Sequence, residues 1–521
     1  MKNYIKKLTP SAWITGIHLI AALVGLPLAV HYAYYDIGET KYYFYCGAAA
    51  ILLPALILEL IKRPSAAKSL KSLTKAEWAL LVYWIVSALS TLLSKYKFEA
   101  FWGNEGRYTG LMLITVYTAV YFVITRCCKP HPIYMYACIL GGSIVFVLAI
   151  TDFFDLNLLH FKDGIDPNDA DKFISTMGNI NFYASYGSVV LGVVAALYAT
   201  WSKAKGSIVY FFLVTLSFVG LIVGNSDNAY LAFGVVMAFL PLYLFKDRRG
   251  LRRYCMLVSA LLLSFMLVRL CDIYLPDLIL PPDGFRTLIA KWGGFVYLSL
   301  AVWGITAVLY ITDYKMGRQN AALTKHVRIA WGIFLAIGAA AVIAVLVDAN
   351  LLGNGERYGG LRNYVVFNDD WGTLRGYAWR KGIENYKQFS PIHKVFGCGP
   401  DTYGIIFYFK DMVERSMLYD SVHNEYLQFF ITVGPIGMAA YMMFLALSLR
   451  EMFKKPEDPF IMAAAFGTLC YCVQAIVNIN QPGSTPIFWT ILALGIAHCR
   501  NVMKESDHIK EWGNEDLKKE E

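Results

Sequence analysis

The chain has 521 residues, 57% of them Ala, Val, Ile, Leu, Met, Phe, Trp, Tyr or Cys and only 16% charged. A soluble domain carries about 25% charged residues, so this composition excludes a soluble enzyme, a disordered protein and a nucleic-acid binder. The formal charge of +9 then bears on loop sidedness rather than on an acidic partner, because short basic loops stay cytoplasmic.

A membrane span needs about 20 predominantly apolar residues, and lipid obliges it to be helical or part of a closed barrel. No weak ten-residue alternation suggests a barrel. Suitable runs begin near Ala12, Tyr42, Trp78, Gly110, Ile133, Tyr183 and Ile208, and again near Ala229, Cys255, Leu288, Ile329, Glu425, Ile461 and Pro486. The expectation is an all-α polytopic membrane protein with about fourteen transmembrane helices. The run from Ala12 shows no small-residue cleavage site and reads as a span, not a signal peptide. Cys46, Cys138, Cys255, Cys470, Cys472 and Cys499 lie in or beside apolar runs, Cys127 and Cys128 sit in a basic loop, and no CxxC spacing occurs. They read as packed thiols, neither a metal site nor a disulfide framework.

Lysine and arginine sort the connections into two sets. The N-terminus (Lys2, Lys6, Lys7), 62–76, 126–130, 201–206, 246–253, 312–328, 450–456 and the tail hold 29 of the 47 basic residues. The opposite set holds 18, nine of them in one long loop, 349–424. Both termini are therefore expected in the cytoplasm, and the 349–424 loop outside. The chain divides into a bundle at 1–348, an external loop at 349–424 carrying surface helices, C-terminal transmembrane helices at 425–500 and a cytoplasmic tail at 501–521. Between 152 and 180, Asp152, Asp155, Asp163, Asp166, Asp169 and Asp171 face only Lys162 and Lys172. Their spacing fits no EF-hand loop, and they read as a solvated acidic connection.

The 349–424 loop far exceeds the usual connection of about 4–6 residues, and long loops of this kind are usually functional. It carries Arg357, Arg362, Arg375, Arg380 and Lys381, a concentration that asks for an anionic partner. Residues 371–388, WGTLRGYAWRKGIENYKQ, read as a helix capped by Asp370 or Thr373. Leu374, Tyr377 and Ala378 share one face, expected to lie along the membrane surface, and Arg375 and Trp379 share another. The turn-rich stretch Val395-Phe-Gly-Cys-Gly-Pro400 follows. Ser421-Val-His-Asn424 then leads into a span, which puts His423 at its mouth, and Gly434-Pro-Ile-Gly437 is expected to kink or thin that span.

Taken together, these residues resemble the O-antigen ligase and O-antigen polymerase superfamily. The resemblance rests on His423-Asn424 with Leu427, Gly434 and Gly437; on Arg375 to Trp379 followed by Gly397-Cys-Gly-Pro400; on GNEGRYTG from Gly103 to Gly110 with Arg107; and on Gly178-Asn-Ile-Asn181. It covers most of the chain between Gly103 and Gly437. One position departs from the pattern: where family members often carry Ser-Arg, this chain reads Gly224-Asn-Ser-Asp-Asn-Ala229, with Asp227 in place of the arginine. The resemblance implies a bacterial inner-membrane enzyme of surface polysaccharide biosynthesis. It would move a glycan from an undecaprenyl-diphosphate donor to an acceptor hydroxyl on a glycan, lipid or protein, at the outer face of the bilayer. The Asp227 departure suggests a donor or acceptor other than that of the lipopolysaccharide ligases.

The chemistry fits this reading. Guanidinium forks bind phosphate oxygens in bidentate fashion and stay charged, which makes Arg107 and Arg375 the candidates for the diphosphate. The acceptor hydroxyl needs a base, and a histidine with an unperturbed pKa of about 6.5 suits, so His423 is the candidate catalytic base beside Arg375. Asn424, Trp379 and Asn181 are candidate supporting residues. No metal cluster and no cofactor motif is visible, so a metal-independent glycosyltransferase is expected, with arginines in the role of a divalent ion; the resemblance implies transfer with inversion. A lipid-linked oligosaccharide flippase is the alternative, but transporters place charge near the midplane and show repeats, and the spans here show neither. His18, His131, His326, His498 and His508 fall inside the bundle or on the cytoplasmic side; His31, His160 and His393 lie outside without companions. Arg357, Arg362, Arg380 and Glu425 read as structural or peripheral.

Overall fold

The computed structural model describes residues 8–62, 73–167, 169–318, 321–406 and 420–520, with side chains as far as residue 502. Lys2, Lys6, Lys7, most of the basic 62–76 run and residues 407–419 of the long loop lie outside the described residues. Helices dominate: the strand pair Phe173–Ile174 with Gly178–Asn179 is the one sheet among the described residues. Ten helices are long and apolar enough to cross a membrane: Pro10–Leu28, Lys75–Leu93, Pro132–Phe153, Ile180–Thr200, Lys205–Val223, Arg248–Tyr274, Phe295–Lys315, Lys325–Asn350, Gly434–Phe453 and Pro459–Val477. The runs expected near Gly110 and Ala229 form shorter apolar helices, Leu111–Cys127 and Ala229–Leu244. The run near Tyr42 is interrupted between Ile37–Ala50 and Leu52–Lys62, and the last run is the start of Thr485–Glu520.

The helices begin where the chain supplies caps. Thr74 and Glu77 form a reciprocal capping box, Asn179 and Asp458 accept from first-turn amides, and Pro10, Pro132 and Pro459 occupy positions where a missing N–H costs nothing. Ile180–Thr200 is the central helix: 83% of its apolar stretch is buried, and it runs along Pro459–Gln474. Lys325–Asn350 is the opposite case, with none of its apolar stretch buried; lipid is the only solvent that suits such a surface.

The connections gather at two ends of the bundle. At one end the Glu77 carboxylate takes Arg126 at 2.8 Å and Arg500 at 2.7 Å. There too, Asp313 takes Arg252 at 2.7 Å together with Arg248, and Lys246 meets Glu457 at 2.6 Å. These are connections of the arginine- and lysine-rich set. The other end gathers 103–110, 173–181, 224–228, 281–285, the long loop and 478–484, tied for example by Asn478 Nδ2 to the Asn181 carbonyl at 2.8 Å.

Two expectations are corrected. The run starting at Glu425 is not one helix but two, Glu425–Thr432 and Gly434–Phe453. Gly434 takes φ +84°, and a Cβ there would press into the Val395 carbonyl. The break frees the Thr432 carbonyl, which accepts the Gly399 N–H at 2.9 Å and the Ser90 hydroxyl at 2.7 Å, so that carbonyl is not left unpaired. The second correction concerns 371–388. Gly372, Thr373 and Leu374 are left-handed, with φ of 59°, 60° and 68°, and Asp370 makes no side-chain cap. Leu374 therefore leaves the face of Tyr377 and Ala378. Those two are buried, Tyr377 in a cluster with Cys398, Tyr403, Val422 and Ile431: this face of the helix packs on the protein.

Gly434→Ala should lower the thermal unfolding temperature in detergent. A left-handed residue with a Cβ costs about 1–2 kcal/mol before any clash. Gly304→Ala, where a Cβ meets nothing within 4 Å, should leave it unchanged. Equal behaviour of the two variants would contradict the role given to the break.

Candidate active site

Arg107 is presented by a loop closed from behind. The Asp401 carboxylate accepts the amides of Asn104 at 2.7 Å and Thr109 at 2.9 Å, which joins the GNEGRYTG loop to the segment following Cys398. Burial raises the Asp401 pKa to about 6 against those two donors. From this loop Arg107 pairs through Nε with Asp420 Oδ2 at 2.6 Å and lies over the Phe182 ring at 5.6 Å. Burial works to raise Asp420, and Arg107 overrides it, leaving the carboxylate below its usual range. Arg107, Thr109, Asp401, Ser421, Gln428 and Asn480 line a small cavity.

His423 sits in a turn held at every residue. Its own φ is +50°, and its N–H donates to Ser421 Oγ at 3.0 Å. The Val422 N–H donates to Gln428 Oε1 at 3.1 Å, and the Val422 carbonyl accepts the Trp379 indole N–H at 2.7 Å. Asn424 caps the next helix through the Leu427 N–H at 3.0 Å. Imidazole Nδ1 is buried and has no hydrogen-bond partner among the described residues. Burial, then Arg107, then Arg375 push the His423 pKa from 6.5 down to about 4, with Asp420 opposing. The imidazole is therefore neutral at pH 7, able to take a proton, and within the field of both arginines.

Arg375 follows the left-handed run directly. Its Nη1 donates to the Gly372 carbonyl at 3.0 Å, and its Nε is buried without a partner among the described residues. Burial lowers its pKa, and Asp227 opposes. Asp227 accepts the Phe285 N–H and the Tyr364 hydroxyl, each at 2.9 Å. Asn181 stands one residue from the Phe182 ring beneath Arg107. Its Oδ1 accepts Ser226 Oγ at 3.0 Å and Asn228 Nδ2 at 2.8 Å, which holds the 178–181 turn to the turn bearing Asp227.

The remaining candidates lie elsewhere. Arg357 pairs with Asp348 at 3.1 Å, Arg362 with Glu356 at 3.0 Å, and Arg380 with Asp369 and Glu384 at 2.8 Å each. Glu425 is buried between the hydroxyls of Tyr441 and Tyr471 at 2.6 and 2.8 Å. Sequence reasoning passed over Asp401, Asp420 and Tyr364, and named Trp379 as a supporting residue without assigning it a partner. Asp401 follows the Gly397-Cys-Gly-Pro400 turn directly and was findable there; nothing in the sequence marks Asp420 or Tyr364.

The His423 environment has a consequence for stability. An unfolded histidine takes up a proton near pH 6.5, whereas the folded one stays neutral to about pH 4. The unfolded state binds more protons in that window, so this group makes stability fall as pH drops from 6.5 towards 4. His423→Gln should lose less thermal stability across the window than the parent chain. Parallel declines would contradict the burial and the cationic field.

Residues 284–442 match the family described as O-Antigen ligase. The matched stretch contains Arg375, Trp379, His423 and Asn424, while Arg107, Asn181 and Asp227 precede it. No curated protein matches the chain. Among the described residues the chain thus has ten helices long and apolar enough to cross a membrane, and its residues 284–442 carry the match to the O-antigen ligase family.

Proposed function

We propose that the chain transfers a glycan, with inversion, from undecaprenyl diphosphate to an acceptor hydroxyl at the outer face of the bacterial cytoplasmic membrane. The observation that carries this reading is the His423 imidazole, held in a left-handed turn with its buried Nδ1 unpartnered among the described residues, and with Arg107 and Arg375 from distant parts of the chain both acting to lower its pKa. His423 takes the proton of the acceptor hydroxyl as that oxygen attacks the anomeric carbon. The bond from that carbon to the diphosphate oxygen breaks, the electron pair stays on the diphosphate, and its charge grows. Arg107 and Arg375 meet that charge, and donors aimed where charge develops stabilise a transition state more than the ground state. The unpartnered Arg375 Nε leaves a donor for a phosphate oxygen. Asn424 and Trp379 hold the turn bearing His423, and Asn181 holds the neighbouring turns. In this reading both termini are cytoplasmic, 349–424 is external, and the shorter and interrupted helices bring the crossings to about fourteen.

In detergent, with a synthetic polyprenyl-diphosphate glycan and a chelator present throughout, His423→Ala should lower transfer by roughly 10²–10⁴-fold and leave donor affinity intact. Arg375→Ala should weaken donor binding and cost about 3–4 kcal/mol in transition-state stabilisation, with Arg375→Lys rescuing only in part because a point charge lacks the fork. Full activity of His423→Ala would remove the base, and loss of activity on chelation would point to a metal.

Sidedness has its own test. A cysteine in place of the exposed Arg357 should react with an impermeant thiol reagent on intact cells, and one in place of Lys246 only after permeabilisation. The reverse pattern would invert the topology and with it the proposed face of the reaction.

A further inference from the structure

Asp227 touches none of the atoms assigned to the chemistry, yet a continuous set of contacts leads from it to His423. Its two carboxylate oxygens are divided between the Phe285 N–H and the Tyr364 hydroxyl, each at 2.9 Å. Asn225 strengthens the same junction, accepting the Asp283 N–H at 3.2 Å and donating to the Pro281 carbonyl at 3.3 Å. Tyr364 belongs to the long loop, so this is one of the points at which that loop is fastened to the bundle, beside those made by Asp401 and Asp420. The Tyr364 carbonyl accepts the Trp371 indole N–H at 3.1 Å. The Trp371 ring stands 5.1 Å from that of Trp379, and the Trp379 indole N–H donates to the Val422 carbonyl at 2.7 Å. His423 is the next residue. Arg375 lies between the two tryptophans in sequence, on the turn that Trp371 opens.

We propose that Asp227 is a positioning residue for the transfer reaction: through Tyr364 it anchors the Tyr364–Trp371–Trp379 strut, and so sets the placement of Arg375 and His423 relative to each other. Tryptophan and tyrosine suit a strut, since each has a large rigid body, two side-chain torsions and one polar tip to pin. The role is one of hydrogen bonding. An asparagine can accept the Phe285 N–H through its oxygen and donate to the Tyr364 oxygen through its amide, whereas alanine can do neither. The proposal rests on His423 and Arg375 acting as described above.

The test uses the full chain in detergent, with kcat and donor KM for transfer and hydrogen exchange on the same preparations. Asp227→Ala and Tyr364→Phe should each lower kcat on the order of 10²-fold, the cost of a misplacement of about 1 Å, with little change in donor KM. The double variant should be no worse than the more impaired single, because both cut one connection. Asp227→Asn should keep most of the parental kcat. Amides in 371–379 and 421–424 should exchange faster in Asp227→Ala than in the parent and in Asp227→Asn. Two results would overturn the proposal: Asp227→Asn as impaired as Asp227→Ala, which would make the charge the active element, or parental kcat in Asp227→Ala and Tyr364→Phe while His423→Ala is inactive. An active His423→Ala enzyme would instead overturn the reading of the site, whatever the exchange pattern.

Discussion

Burial of one imidazole, reinforced by the charges of two arginines, disfavours any proton that would settle on it, and this constraint organises the candidate site. Burial and the fields of Arg107 and Arg375 keep His423 neutral well below its usual pKa. Asp420, in direct contact with Arg107, keeps that arginine tolerable. In the proposed reaction a diphosphate drawn between the arginines cancels much of the field that holds the imidazole down. The base would then strengthen when the donor arrives, and stay idle before it.

Most of the surrounding structure serves to hold these charges in register at the end of a lipid-facing bundle. Asp401 closes the loop that bears Arg107 by binding two of its amides. The break at Gly434 lets the turn at 395–399 reach the carbonyl of Thr432, so the segment following Arg375 and the helix following His423 share one backbone junction. Trp379 fixes the carbonyl just before His423. Each of these contacts ends on a backbone group and so holds the chain itself in place, which is what a site assembled from distant segments requires.

The sequence carried the composition-driven part of this picture. Apolar runs located the helices, and the sorting of lysine and arginine separated two sets of connections that do gather at two ends. It also singled out His423, Arg375 and Arg107, through the motifs that resemble the family's and the chemistry that a diphosphate donor and a hydroxyl acceptor need. What it could not carry was backbone conformation. The apolar pattern from Glu425 onward is uninterrupted by charge, so only the glycine at 434 hinted that two helices meet there. Residues 371–388 keep helical spacing, yet three left-handed residues at 372–374 rotate Leu374 away from Tyr377, an event without a signature in periodicity. Asp227 looked like a loss against the family's pattern. Its contacts with Phe285 and Tyr364 join residues far apart in the chain, and such pairings are invisible to a single sequence.

The central claim, that His423 acts as base within the field of Arg107 and Arg375, is tested most directly by the pH dependence of kcat/KM in the parent chain and in Arg375→Gln. This quantity reports the ionisation of the free enzyme. The account predicts an acid limb well below pH 6.5 in the parent, shifted upward in Arg375→Gln because one cation opposing protonation is gone, on top of a lower plateau. An acid limb near pH 6.5 in the parent, or one that stays in place when Arg375 is replaced, would contradict it.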